Sequence, residues 1–253
     1  MAKLNTNSGS LLAMATSERV SSVCVASGQD ILAEADSLQW MKQFPDDQAV
    51  GKSTAIVSMM QSVLSEASIE PVDLGVIALT NGPGGFTGLR VGVVAARMLC
   101  YAWNLPVIVV NSLGVAADKL RRQRSLGDGE SIWAVTDAQR RQVFATKMQV
   151  RADGQLTTVE PQALFERQAL VDLLEAGDNV TGAGAFAFED LIEEKTGLKL
   201  PEPSVAACDA EAVARLADHR FATEDFDELL TIEPIYFRPS AAEEVRLAKK
   251  EVK

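Results

Sequence analysis

The sequence predicts a two-lobed α/β protein in which each lobe opens with three strands and continues with alternating helices and strands. Three observations predict it. Short β-rich runs open both halves of the chain, at 11–35 and at 131–159. Near-continuous apolar runs at 74–79 and 107–110, each followed by a helical pattern, read as parallel strands buried on both faces. The turn-forming Leu126-Gly127-Asp128-Gly129 sits at the midpoint, where the pattern starts again. On this reading 1–9 is a polar tail, 10–125 a first lobe, 126–240 a second lobe of the same α/β grammar, and 241–253 a second tail.

Runs at 11–16, 20–26 and 31–35 mix β-branched and small residues, and Ser27-Gly28-Gln29-Asp30 supplies a tight turn, so three strands come first. Phe44-Pro45-Asp46-Asp47 breaks the chain. Across 48–67 the apolar Val50, Val57, Met60, Leu64 and Ala67 are spaced seven, three, four and three, which predicts a helix capped by Asp46 or Asp47. A buried strand at 74–79 leads through a glycine-rich loop into a helix at 89–103. Leu105-Pro106 ends that helix, a strand follows at 107–110, and Asn111-Ser112 caps a helix at 113–122. The second half offers strands at 131–136, 142–150 and 156–159, a helix at 165–175, a strand at 179–182, and helices at 185–195 and 210–221. It shows no counterpart of the first half's glycine loop.

The 253 residues carry 24 Lys and Arg against 35 Asp and Glu, a formal charge of −11. Such a surface repels nucleic acid and argues against unaided binding to it. Arg121-Arg122-Gln123-Arg124 is the one basic cluster, and it reads as a solvated helix end. With 47% hydrophobic and 23% charged residues the chain can build a substantial core. Cys24, Cys100 and Cys208 are odd in number, scattered and set in apolar surroundings, which suits buried thiols in a reducing cytoplasm. His219 is the only histidine, so no histidine-based metal site is expected. No apolar stretch approaches the length of a membrane span, and the run 11–15 is too short for a signal-peptide core.

Gly82-Pro83-Gly84-Gly85-Phe86-Thr87-Gly88-Leu89-Arg90 is the most informative stretch. Its glycines permit positive φ and close backbone approach between a strand and a helix, yet it fits neither the dinucleotide nor the phosphate-loop pattern. The following helix carries Gly88, Gly92, Ala96 and Cys100 four apart, a face bare of large side chains. That face packs either against the chain's own sheet and helix 48–67 or against a helix of another protein. Gly51-Lys52-Ser53-Thr54 imitates the end of a phosphate loop, but Asp46 stands where the pattern needs glycine.

The run Gly82-Pro83-Gly84-Gly85-Phe86-Thr87-Gly88-Leu89-Arg90-Val91-Gly92 resembles the GPGSFTGLRxG segment of the TsaB family, relatives of the TsaD proteins. Other matches follow in order. Ala13-Met14-Ala15-Thr16-Ser17 resembles A-x-D-T-S, and 106–113 resembles P-V-x-x-V-S-S-L. Asp137-Ala138-Gln139-Arg140-Arg141-Gln142-Val143-Phe144 resembles D-A-R-R-x-E-V-Y, and 233–238 resembles the closing P-x-Y-L-R. Ala15 stands where the family has Asp, an acid that positions a metal–phosphate group in related kinases. Gly85 stands where Ser is usual.

The resemblance implies a duplicated actin/sugar-kinase/Hsp70-like (ASKHA) fold. It implies a role in forming N6-threonylcarbamoyladenosine at position 37 of tRNAs reading ANN codons. There, a TsaD-like subunit holds the metal and transfers the threonylcarbamoyl group, and a TsaE-like ATPase supports turnover. The TsaB-like chain pairs with TsaD through two helices, here 48–67 and 88–103, without catalysis, metal or cofactor of its own. The same face would serve a homodimer in the partner's absence, and tRNA would be met only through the complex. Expected partner contacts are Val57, Met60, Leu64, Gly88, Arg90, Gly92 and Ala96, with Gly82, Pro83, Gly84, Phe86 and Thr87 shaping the loop. The alternative is a nucleotide-using, kinase-like enzyme of the same fold, with Asp137 and Arg140 in a cleft between the lobes. A peptidase reading lacks any nucleophile partnered with His219.

Overall fold

The computed structural model describes residues 9–43 and 52–235. The capping residues Asp46 and Asp47, Gly51, and the tail from 236 onward lie outside them. The first sheet has strands β1 (Ser10–Ala15), β2 (Ser22–Ser27), β3 (Asp30–Asp36), β4 (Leu74–Thr80) and β5 (Val107–Val110), in the order β3-β2-β1-β4-β5. Strands β1, β2 and β3 pair antiparallel, while β1, β4 and β5 run parallel. The second sheet holds β6 (Ser131–Asp137), β7 (Gln142–Val150), β8 (Leu156–Glu166) and β9 (Asn179–Thr181), ordered β8-β7-β6-β9, with β6 and β9 parallel. Third, second, first, fourth is the order in both. The duplication expected from the sequence is therefore present in strand topology.

Every residue of β1 is buried because both faces of its sheet are covered. On one face Leu12 and Met14 join Ile77 and Leu79 under two helices, α2 (Lys52–Glu66) and α3 (Phe86–Trp103). On the other face Leu11, Val76 and Ile108 stand among small residues, Ala13, Ala15, Cys24, Ala26 and Ala78. Against them lies α8 (Ala210–Ala222), itself faced with Ala210, Ala214 and Ala217. Small side chains on both partners bring this helix close to the sheet. Thus α8 closes the first lobe, whereas the sequence reading gave everything from 126 to 240 to the second. Order along the chain does not reveal which sheet a late helix covers.

Helix α4 (Ser112–Arg124) joins the two lobes. Its Leu113, Ala117 and Leu120 form one cluster with Ile132, Ala134 and Val150 of the second sheet. The Asn111 side chain caps it, accepting from the Leu113 N–H at 2.9 Å. The cluster Arg121–Arg124, expected to be solvated, is bound internally. Asp118 accepts from Arg121 at 2.8 Å and forms an ion pair with Arg122 at 2.9 Å, and Arg124 reaches the Asn179 amide oxygen at 2.8 Å and the Lys199 carbonyl.

Other elements differ from expectation. A helix not anticipated, α1 (Ser37–Gln43), starts where the Asp36 carboxylate accepts from the Leu38 and Gln39 N–H groups. Strand β8 continues through Pro161 to Glu166, since an edge strand tolerates proline. Phe165 is therefore in a strand, edge-on to Trp133 at 6.3 Å, and the helix expected at 165–175 shrinks to α5 (Arg167–Leu173). The helix expected at 185–195 is a 3-10 turn (Ala185–Phe188) running into α6 (Glu189–Thr196), and a short α7 (Pro203–Ala206) precedes α8.

Candidate functional site

The glycine-rich loop is a seat for the end of β1. Gly82, at φ 117°, turns the chain after β4, through a cis Gly82-Pro83 bond, and Gly85 donates its N–H to the Ser17 carbonyl at 2.6 Å. A Cβ on Gly84 would overlap the Ser17 carbonyl, one on Gly88 the Thr16 carbonyl, and one on Gly92 the Thr16 hydroxyl. The small-residue face of α3 is thus turned inward, onto residues 16–17 of its own lobe. Ala96, Met60 and Leu64 are buried in the same lobe's core. Five of the expected partner contacts, Gly88, Gly92, Ala96, Met60 and Leu64, are therefore corrected to internal packing. A stripe of small residues needs some close backbone, and β1 supplies it.

The second lobe repeats the device, contrary to the sequence reading. Gly182, at φ 100°, follows β9 as Gly82 follows β4, and a Cβ there would overlap the Val135 carbonyl. Gly184 presses on the Thr136 and Asp137 backbone and donates its N–H to the Val135 carbonyl at 3.1 Å. Two glycines one residue apart carry little signal on their own.

What α3 turns outward is apolar. Val94 is 55% exposed, Met98 67% and Tyr101 85%, spaced four and three on one stripe. Toward the helix start the stripe continues through exposed Arg90 and Phe86, with the guanidinium 3.9 Å from the ring centroid, and Thr87 is exposed beside them. Val57 on α2 is half exposed. Val94, Met98 and Tyr101 were missed by sequence reasoning. The available signal was that α3 is apolar on nearly every side, more than one buried face requires.

At the far end of β6, Asp137 and Arg140 are both exposed. Arg167 Nη2 lies 3.9 Å from the Asp137 carboxylate, and its guanidinium sits 5.8 Å from the Phe188 ring centroid. Gln139, Arg140 and Arg141 hold left-handed conformations, each costing a non-glycine residue roughly 1 kcal/mol. Past β1, burial pushes the Glu18 carboxyl up to about 7, opposed by the Cys208 backbone N–H. Lys119, beside it, is held by Asp209 and by the Ser204 carbonyl at 2.7 Å.

Among the described residues no three His, Cys, Asp or Glu side chains gather as metal ligands. His219 is exposed on α8. The cysteines are buried and free, and burial pushes the Cys100 thiol up to about 12 and those of Cys24 and Cys208 upward as well. No helix among the described residues is long and apolar enough to cross a membrane.

Comparison with known proteins gives a consistent result. Residues 44–243 match the model of the TsaD family, tRNA N6-adenosine threonylcarbamoyltransferase. The chain is 28% identical over 190 residues to the tRNA threonylcarbamoyladenosine biosynthesis protein TsaB of Escherichia coli, covering 74% of this chain and 80% of that one. It is 28% identical over 150 residues to the Bacillus subtilis protein of the same name, covering 58% of this chain and 63% of that one. YeaZ from Pseudomonas aeruginosa superposes with a TM-score of 0.72 at 21% identity, over 90% of this chain and all of that one, so the folds agree. With a family match across most of its length, TsaB proteins among its relatives and the duplicated fold of YeaZ, the chain belongs to the TsaD family, in its TsaB group.

Proposed function

We propose that this chain is the non-catalytic pairing subunit of a tRNA threonylcarbamoylation complex, docking on a TsaD-like catalytic partner through the outer face of α3. The observation that carries this reading is the stripe Val94, Met98 and Tyr101, each more than half exposed. Soluble chains seldom leave a contiguous apolar stripe uncovered on a rigid helix, and such stripes mark partner sites. The helix is held from behind by the seating of Gly84, Gly88 and Gly92 on β1, so little order is lost when a partner docks. Each of the three side chains, once covered, contributes about 1–2 kcal/mol. Tyr101 and Met98 are residue types that dominate interfaces, a large ring with a polar tip and an adaptable thioether.

On this reading the partner supplies the metal and the chemistry, a TsaE-like ATPase joins the pair, and tRNA meets the chain only inside the complex. In the partner's absence the same stripe serves a second copy of the chain.

Co-purification with the TsaD-like protein of the same genome tests the reading. Met98→Glu with Tyr101→Glu should weaken pairing by about 3 kcal/mol or more, over a hundredfold in Kd, with the melting temperature held. It should also abolish stimulation of tRNA threonylcarbamoylation. Wild-type pairing by the variant, or threonylcarbamoyl transfer by the chain alone, would refute it.

A further inference from the structure

After α8 the chain returns across the first lobe as a strap, 227–235, tied at both ends. Asp227 donates its N–H to the Val107 carbonyl at 2.9 Å, and its carboxylate accepts from the Val109 N–H at 2.6 Å, which fixes one end on the edge strand β5. Ile235 donates its N–H to the Asn81 carbonyl at 2.8 Å, and the Asn81 side-chain amide donates to the Glu233 carbonyl at 3.3 Å. Between the ties Leu229 and Ile232 turn into the core that lies under α2 and α3. Leu230 turns out and is 82% exposed. Its turn is closed, since the Thr231 N–H and the Thr231 hydroxyl both donate to the Glu228 carbonyl at 3.0 Å.

The strap is bonded to α3 on the flank of the exposed stripe. Arg97 Nη2 donates to the Leu230 carbonyl at 2.8 Å. Arg97 is three residues after Val94 and four before Tyr101, so it neighbours both on the helix surface. On this face of the sheet α2 packs over β2 and β3, α3 over β4, and the strap starts on β5. The order β3-β2-β1-β4-β5 therefore sets α2, α3 and the strap side by side. Val57 of α2 borders the stripe on one side and Leu230 on the other. A stable pair of chains buries about 800 Å² on each partner. At their exposures, Val94, Met98 and Tyr101 present roughly half of that, and Val57 with Phe86 raises it to about three-quarters. A leucine held at the rim on a tied turn extends the apolar surface away from α2, and it loses little freedom when covered.

We infer that Leu230 and its turn form a second docking element for the TsaD-like chain, which seats across both α3 and the strap; this rests on the pairing reading above. The test uses the two full chains. Leu230→Ala should weaken pairing about tenfold, and Leu230→Glu by more, with the melting temperature of each as in the wild type. Leu173→Glu, on exposed α5 of the second lobe, should leave pairing unchanged. Leu230→Cys gives a footprint independent of affinity. Cys24, Cys100 and Cys208 are buried, so maleimide reports on position 230, and saturating partner should slow that labelling about tenfold or more.

Wild-type affinity in Leu230→Glu, or labelling at 230 that the partner does not slow, overturns the inference. So does an equal loss in Leu173→Glu, which would trace the effect to added charge on an acidic chain. Met98→Glu with Tyr101→Glu separates the two readings. If that pair abolishes association and Leu230→Glu does not weaken it, the strap falls and the pairing reading stands. If Leu230→Glu weakens association and the α3 pair does not, the strap stands and the α3 assignment falls. If the wild-type chains do not associate, both fall.

Discussion

Replacing Gly88 with alanine should cost the fold more than replacing Gly92, although both face the same residue. At Gly88 the added Cβ would overlap the Thr16 carbonyl, an atom of the backbone of a central strand's end. Neither α3 nor β1 can retreat cheaply. Gly85 already binds the Ser17 carbonyl at 2.6 Å, and β1 is buried along its whole length. Overpacking of this kind costs about 3 kcal/mol, and the better helix propensity of alanine returns at most about 1 kcal/mol. The net loss is about 2 kcal/mol, a fall of about 4–8 °C in melting temperature for a chain of this size. At Gly92 the obstacle is the Thr16 side chain, its hydroxyl without a hydrogen bond and its Cβ and Cγ2 at 3.3 Å, so one side chain rather than a backbone must shift. There the loss should stay below about 1 kcal/mol. Thermal melts of the two variants beside the wild type decide it. A Gly88→Ala protein as stable as Gly92→Ala would refute the claim that the loop is a seat for β1. Neither substitution should change pairing, because neither reaches the exposed stripe.

Glu18 and Arg124 give two further outcomes. The Glu18 carboxyl is raised in the folded chain to about 7 from 4.5, chiefly by burial, so the folded state binds the extra proton between those values. Stability from this group is therefore present below about 4.5 and lost as pH rises through about 7. Glu18→Gln should flatten the decline in melting temperature across that window, and identical slopes for variant and wild type would exclude Glu18 as its source. Arg124→Ala removes the bonds to Asn179 and Lys199 and should cost roughly 1–2 kcal/mol. Faster amide exchange in β9 with β4 unchanged would support a lobe-to-lobe pin, and uniform exchange would not.

Much of the fold was legible because strands buried on both faces announce themselves. The bounds of β5 and β7 match the runs read from the sequence, and β4 differs by one residue. What could not be read depends on distant partners. The alanines of α8 and of β1, β2 and β4 are complementary only once brought together, so the helix was assigned by chain order to the wrong lobe. Pro161 reads as a stop until β8 is known to be an edge. The site was half legible. The motif Gly82–Gly92 marked the right loop and helix, but periodicity alone cannot say which backbone a bare face approaches. It was the strand end at Thr16 and Ser17.

On the proposed pairing, the duplicated glycine seat sets the two lobes apart. After the first seat the chain enters a helix whose inner side, at Gly88 and Gly92, lies against the end of β1, whereas after the second seat it enters a 3-10 turn and α6. In the first lobe that helix is 18 residues long, and its outer side is Val94, Met98 and Tyr101. In the second lobe the 3-10 turn and α6 together span Ala185–Thr196, with exposed Glu189, Asp190 and Glu194 on the outside. Desolvating three carboxylates opposes docking by several kcal/mol, while covering the first-lobe stripe favours it by a similar amount. Exchanging the outer residues should move the interface accordingly. Glu189→Leu with Glu194→Leu should leave pairing with the TsaD-like chain unchanged and add a new self-association, visible as a concentration-dependent sedimentation coefficient. A variant that instead lost its partner would place the second-lobe helix in the docking surface and reverse the assignment made from exposure.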